Sequence, residues 1–152
     1  MIYELNEKAS LALFVRYSYN VLGTTKILPT TFKDFLTKFV AQSKLEGVKI
    51  KKTYTNSRLR INFYFEKIKS ENKDIYMADW KFFSEALDIL NKLPEEVSLV
   101  LDNVIKTELS LKSKEQIDIL KSKAAAEIAL CKAEYYKNYK EVDEGCAEFL
   151  NQ

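Results

Sequence analysis

Residues 48–65 read VKIKKTYTNSRLRINFYF, and this stretch decides the predicted fold because apolar and polar side chains alternate along it with the two-residue period of a strand. The alternation runs through 48–54, where Lys52 is the one exception on the apolar side, and again through 59–65. A two-residue turn at Asn56 and Ser57 lets the two segments pair antiparallel. Val48 then faces Phe65 on the apolar side. Since a slip of one residue would scramble both faces, the alternation itself specifies the register. The sequence therefore predicts a β-hairpin with one apolar and one polar face.

The polar face of this hairpin is basic. It carries four cations with no acid among them: Lys49, Lys51, Arg58 and Arg60. Tyr64 lies among these charges, where its ring can stack on a base, and Lys33 and Lys38 on the preceding helix extend the surface. Phosphates are attracted to such a surface whatever the nucleotide sequence, so these seven residues form the predicted nucleic-acid site. The alternative is an ordinary solvated outer face, for which lysine and arginine are common choices.

The charge of the whole chain is divided unevenly along its length. Residues 26–73 hold twelve Lys and Arg against four Asp and Glu, a local net charge of +8, whereas residues 74–152 hold ten against sixteen, a local net charge of −6. The formal net charge of +2 hides this division. A basic portion beside an acidic portion favours contact with nucleic acid on one side and with a protein neighbour on the other.

Helical periodicity dominates outside the hairpin. A first helix is predicted over 5–22, and Gly23 ends it; a second helix opens at Pro29 and ends at Gly47. The apolar stripe of the second helix has the spacing of a core face and consists of Phe32, Phe35, Leu36, Phe39 and Val40.

The second half of the chain is predicted to be helical as well. One stripe contains Trp80, Phe83, Leu87 and Leu90, and Pro94 separates it from a stripe of Val97, Leu101, Val104 and Ile105. A long helix follows over 114–140, with Ile117, Leu120, Ala124, Ile128, Cys131 and Tyr135 facing inward. The predicted fold is α+β and mostly α. It is a helical bundle with a small antiparallel β-hairpin inserted after the second helix, in a single domain over 1–152.

Composition places this domain among packed intracellular proteins. Eighteen Phe and Tyr residues in 152 indicate a core, and three Gly with two Pro leave few turns. Neither a signal peptide nor a membrane-spanning apolar run is evident, so a cytoplasmic location is expected. Cys131 and Cys146 are expected to be reduced, since two thiols in such a protein do not require a disulfide.

The chain lacks the residues on which most catalysis depends. It contains no histidine, and three isolated glycines do not build a phosphate-binding loop. Paired carboxylates such as Glu95 and Glu96 fit the first turn of a helix, where the helix dipole favours acids. A non-enzymatic protein without metal or cofactor is therefore expected.

The order of elements resembles a known family. A helix over 5–22, a second helix from Pro29, a small β-element and a long helical portion are similar to the small subunit of the archaeal subtype I-A Cascade, a CRISPR effector complex. The resemblance lies in architecture over most of the chain, and no functional residue is transferred through it. It implies a non-catalytic subunit that lines the path of target DNA within a larger assembly.

Two other functions fit the same sequence. A winged-helix-like regulator would use the basic hairpin as a wing and dimerise through the helix over 114–140. A viral or phage inhibitor would use its charged faces to bind a host protein and would have no affinity for nucleic acid. The expected partners are therefore DNA or RNA without sequence preference, together with proteins or a second copy of the chain through helical faces, and no membrane.

Overall fold

The computed structural model describes residues 2–27, 29–52, 65–68, 75–78 and 80–138, and most of these residues are helical. The α-helices are α1 (Glu7–Tyr17), α2 (Pro29–Leu45), α3 (Trp80–Lys92), α4 (Glu95–Leu109) and α5 (Lys114–Asn138). A π-helical turn, Ser18–Leu22, continues α1. The strands are β1 (Ile2–Leu5), β2 (Lys26–Ile27), β3 (Lys49–Lys52), β4 (Phe65–Ile68) and β5 (Ile75–Ala78). The predicted mostly helical fold with a small β portion is confirmed.

Helix α1 is the centre of the core because it is apolar on nearly every side. All side chains of residues 11–15 are buried, and the helix packs against α2, α3 and α4. Asn6 caps its first turn, since the Asn6 Oδ1 atom accepts a hydrogen bond from the Ala9 backbone N–H at 2.8 Å. The predicted first helix is thus confirmed, with its last turn wound as a π-helix.

The aromatic stripe of α2 packs directly on α1. Phe32, Phe35 and Phe39 are almost completely buried. The ring of Phe14 meets Phe32 edge to face with centroids 5.2 Å apart, and Tyr17 lies 4.8 Å from Phe35. The stripe is therefore core, as its spacing predicts.

The last three helices close the core around α1. Their buried residues include Phe83, Leu87, Leu90, Val97, Leu101, Val104, Ala124, Ile128 and Cys131, all of which the periodicity predicts to face inward. Ile117 and Leu120 are half-buried near the start of α5. Cys146 lies outside the described residues, so its reduced state stays a prediction.

Residues 23–25, which connect the π turn to β2, contact α5 in two places. Gly23 has a φ of 67°, and a Cβ atom added there would lie 2.6 Å from Leu120 Cδ2 and 3.0 Å from Leu120 Cα. The Glu127 carboxylate accepts hydrogen bonds from the Thr24 hydroxyl at 2.8 Å and from the Thr25 backbone N–H at 2.7 Å. The close approach of Gly23 to Leu120 and the hydrogen bonds to the half-buried Glu127 therefore hold α5 against the N-terminal half of the chain.

The strands form two small sheets, and their pairing differs from the predicted hairpin. β3 pairs in parallel with β1, while β4 pairs antiparallel with β5, which also pairs antiparallel with β2. The described ends of the predicted hairpin therefore belong to different sheets. Alternation determines which side of a strand faces the core but not which strand lies beside it, and this explains the difference. The middle of the predicted hairpin, 53–64, lies outside the described residues.

Candidate nucleic-acid interface

A tight turn places the end of α2 next to β3. The Val48 N–H donates to the Ser43 carbonyl at 2.8 Å and the Gly47 N–H donates to the Lys44 carbonyl at 3.2 Å, the two bonds of a Schellman motif. Gly47 takes the left-handed conformation that this motif requires, with a φ of 73°. The chain consequently turns from helix to strand within three residues and brings Lys44 beside β3.

The alternation predicted for this part of the chain is confirmed in β3. Lys49 and Lys51 are exposed, while Val48 and Ile50 are half-buried and pack against the core. β1 lies alongside with Ile2 opposite Lys49, so the outer face of this two-stranded sheet continues onto the N-terminal strand.

A groove of about 560 Å³ runs between the end of α2 and β3. Three lysines line it, Lys44, Lys49 and Lys51, and none of the described residues of its lining is acidic. The lining also includes the apolar residues Val40, Val48, Ile50 and Ile2. We call this feature the β3 groove. It joins cations from a helix end and from a strand on one concave surface.

The positive charge of the β3 groove is only weakly compensated. Glu4, opposite Lys51 on β1, approaches with its Oε1 atom 3.6 Å from the Lys51 Nζ atom, and both side chains are more than half exposed at 61% and 66%. An exposed pair of this kind contributes about 0–1 kcal/mol and is screened by salt, so a phosphate can displace it. Lys44 lies in the last turn of α2, where a positive charge interacts favourably with the C-terminal end of the helix dipole.

The two helix lysines of the predicted site lie elsewhere. The Lys38 Nζ atom forms an ion pair with Glu108 of α4 at 2.9 Å, and the hydrogen bond that Lys38 donates to this carboxylate raises the pKa of Lys38 above its usual value. Lys33 is exposed, but it precedes Lys44 by eleven residues, about 17 Å along the axis of α2. Neither side chain lines the β3 groove.

The remaining predicted site residues, Arg58, Arg60 and Tyr64, lie outside the described residues. Lys44 and the N-terminal strand were missed by the sequence interpretation. A basic residue three positions before the helix-ending Gly47 is a recognisable feature of a helix terminus. Each residue of the parallel partner β1 precedes its partner in β3 by 47 positions, and no local sequence feature predicts this pairing.

Other chemistry finds little support in the described part of the chain. Within it, no cluster of three or more His, Cys, Asp and Glu side chains is arranged to hold a metal ion. Glu95 and Glu96 are exposed in the first turn of α4, as the dipole argument predicts. Burial raises the pKa of Tyr19 and is also the main cause of the raised pKa of Tyr17. The elevated values follow from packing in the core and are not evidence for a reactive group.

Comparison with known proteins identifies no relative: no protein family, curated protein or solved structure matches the chain. Among the helices described, none has both the length and the apolar character needed to cross a lipid bilayer.

Proposed function

We propose that this protein is a non-catalytic, nucleic-acid-associated subunit of a larger assembly and that it contacts the phosphate backbone through the β3 groove. The observation that carries the proposal is the presence of Lys44, Lys49 and Lys51 in the lining of one groove, with no acid among the described lining residues. Lysine is a strongly hydrated point charge that attracts phosphate without a fixed geometry, which suits contact with a backbone.

The composition of the β3 groove favours binding without sequence preference. The described residues of its lining include no Asn, Gln or Arg, the side chains that read base edges through paired hydrogen bonds. Among them, Ser43 supplies a hydroxyl, which already donates to the Val40 carbonyl at 2.7 Å. The aliphatic side chains of the lining offer apolar contact to sugars and bases, and they do not distinguish one base from another.

The number of lysines limits the strength of the interaction. Three phosphate contacts predict a log–log salt slope of about −2 to −3, at roughly 0.7 to 0.9 per contact. Contacts of this kind alone give affinities in the roughly micromolar-or-weaker range of non-specific binding. Useful occupancy then requires several copies or neighbouring subunits, which is why we place the protein in an assembly.

The test is fluorescence anisotropy with single-stranded DNA, duplex DNA and RNA across a range of salt. The parent is compared with the triple variant Lys44→Gln, Lys49→Gln, Lys51→Gln. The matched control, Lys114→Gln, Lys121→Gln, Lys123→Gln, removes the same charge from exposed positions on α5. The groove variant should lose most of the salt dependence and the control should keep it.

Two results would refute the proposal. One is an equal loss of salt-dependent binding in both triple variants, which would show an effect of net charge and no localised binding site. The other is a parent that binds none of the three probes at low salt, which would favour an inhibitor that binds a host protein.

A further inference from the structure

A second cleft lies on another part of the molecule, where the end of α1 and the π turn face α4. It has a volume of about 490 Å³ and shares no lining residue with the β3 groove. Its walls include Arg16 and Asn20 on one side and Asp102, Ile105, Lys106 and Leu109 on the other.

Arg16 is the unusual residue of this cleft. Its Nε atom is buried and has no hydrogen-bond partner among the described residues, although the side chain as a whole is only half-buried. Asp102 lines the same cleft, yet none of the ion pairs among the described residues includes Arg16. A desolvated Nε donor without an acceptor is unfavourable, because it has given up water without receiving a compensating bond. The cleft is therefore suited to a ligand that brings an acceptor to Arg16.

The charges of the cleft indicate what that acceptor is. Arg16 and Lys106 contribute two positive charges and Asp102 one negative charge, which leaves a net charge of +1. This balance suits a monoanion better than a dianionic phosphate. Ile105 and Leu109 supply apolar walls, which suit a ligand with a hydrocarbon body. We propose that the cleft binds a small organic carboxylate, with its head group on the Arg16 guanidinium and its body against α4.

A π turn forms part of the wall of the cleft beside Arg16. It begins two residues after Arg16, and π turns inside helices occur frequently at functional sites. Asn20 lies in this turn and lines the cleft, and its side-chain nitrogen donates to the Arg16 carbonyl at 2.9 Å. This bond fixes the Asn20 side chain next to Arg16.

The experiment uses hexanoate as the probe, with hexanamide as its neutral counterpart and inorganic phosphate as the alternative anion. Binding is followed by NMR titration of backbone amides and by thermal denaturation. Hexanoate should shift resonances of the π turn and α4 and raise the melting temperature, and hexanamide should bind more weakly. In Arg16→Met the affinity for hexanoate should fall roughly 10- to 100-fold, the value of a charge-assisted hydrogen bond. The control Lys121→Gln, exposed on α5, should bind as the parent does.

The unliganded Arg16→Met variant separates a ligand site from a structural role. It should melt at the same temperature as the parent or higher, since the substitution removes an unpartnered buried donor. A marked drop in melting temperature, together with no hexanoate binding by the parent, would show that Arg16 is structural and overturn the proposal. Equal affinity for hexanoate and hexanamide, or tighter binding of phosphate, would refute the carboxylate.

Discussion

Gly23 and Gly47 both have a positive φ and make a matched pair. Comparing the loss of stability when each is replaced by alanine measures how closely α5 is packed against the N-terminal half of the chain. Both substitutions place a side chain in the left-handed region, which costs about 1–2 kcal/mol. At Gly47 no atom of the described residues lies within 4 Å of the new Cβ, so Gly47→Ala should cost only this amount. At Gly23 the new Cβ would lie 2.6 Å from Leu120 Cδ2 and 3.0 Å from the Cα and Cβ of the same residue. Overpacking of this kind adds about 1–3 kcal/mol, so Gly23→Ala should lower the free energy of unfolding by about 2–5 kcal/mol.

Urea denaturation of both variants measures the difference. The flexible end of Leu120 is one source of the clash, so the double variant Gly23→Ala, Leu120→Ala should be more stable than the sum of the two single losses predicts. The coupling should be about 0.5–3 kcal/mol, since the two residues are in contact. Equal losses for Gly23→Ala and Gly47→Ala, or no coupling between Gly23 and Leu120, would refute the close approach of α5 to this glycine.

Two further predictions concern polar contacts. Glu127→Ala should lower the free energy of unfolding by about 1–3 kcal/mol in thermal denaturation, because the donors of Thr24 and Thr25 then lose their acceptor. Substitution of the exposed Glu115 by alanine should change this free energy by less than about 0.5 kcal/mol. Equal effects would contradict the tethering role of Glu127. The fold raises the pKa values of Lys38 and Tyr17 above their usual values of 10.5 and 10.0. Their contribution to the free energy of unfolding should therefore be fully present below about pH 10 and be lost as the pH rises through the folded-state pKa values. Urea denaturation between about pH 8 and 11 checks this; Glu108→Gln should reduce the fall, and a flat profile in the parent would contradict the prediction.

Helices α2 to α5 were predictable from sequence because each buries a stripe with a period near 3.6 residues, whereas α1 was predictable from its continuous apolar run. Phe35 and Phe39 in α2, and Ala124 and Ile128 in α5, lie where that period puts them. Gly23 and Gly47 end their helices as expected, since both take the left-handed conformation that glycine tolerates best.

The strand partners and part of the candidate site were not predictable in the same way. The alternation around Ile50 predicts correctly which side chains of β3 face the core. Its partner β1 is a four-residue strand near the N-terminus, far from β3 in sequence, and its pairing is set by tertiary packing. Lys38 has the sequence features of an exposed cation, and only the packing of α4 shows that Glu108 neutralises it. Lys44 joins the β3 groove because the turn at Gly47 folds the strand back beside it, which spacing alone does not reveal.

Lysine footprinting tests the proposed interface most directly. The protein is acetylated with and without a single-stranded oligonucleotide at low salt, and the modification of each lysine is quantified by mass spectrometry. Lys44, Lys49 and Lys51 should be protected by the oligonucleotide. Lys114, Lys121 and Lys123 on α5, which are exposed and do not line the groove, should react as they do in the free protein. Uniform protection of all six, or protection confined to the α5 lysines, would contradict a nucleic-acid interface at the β3 groove.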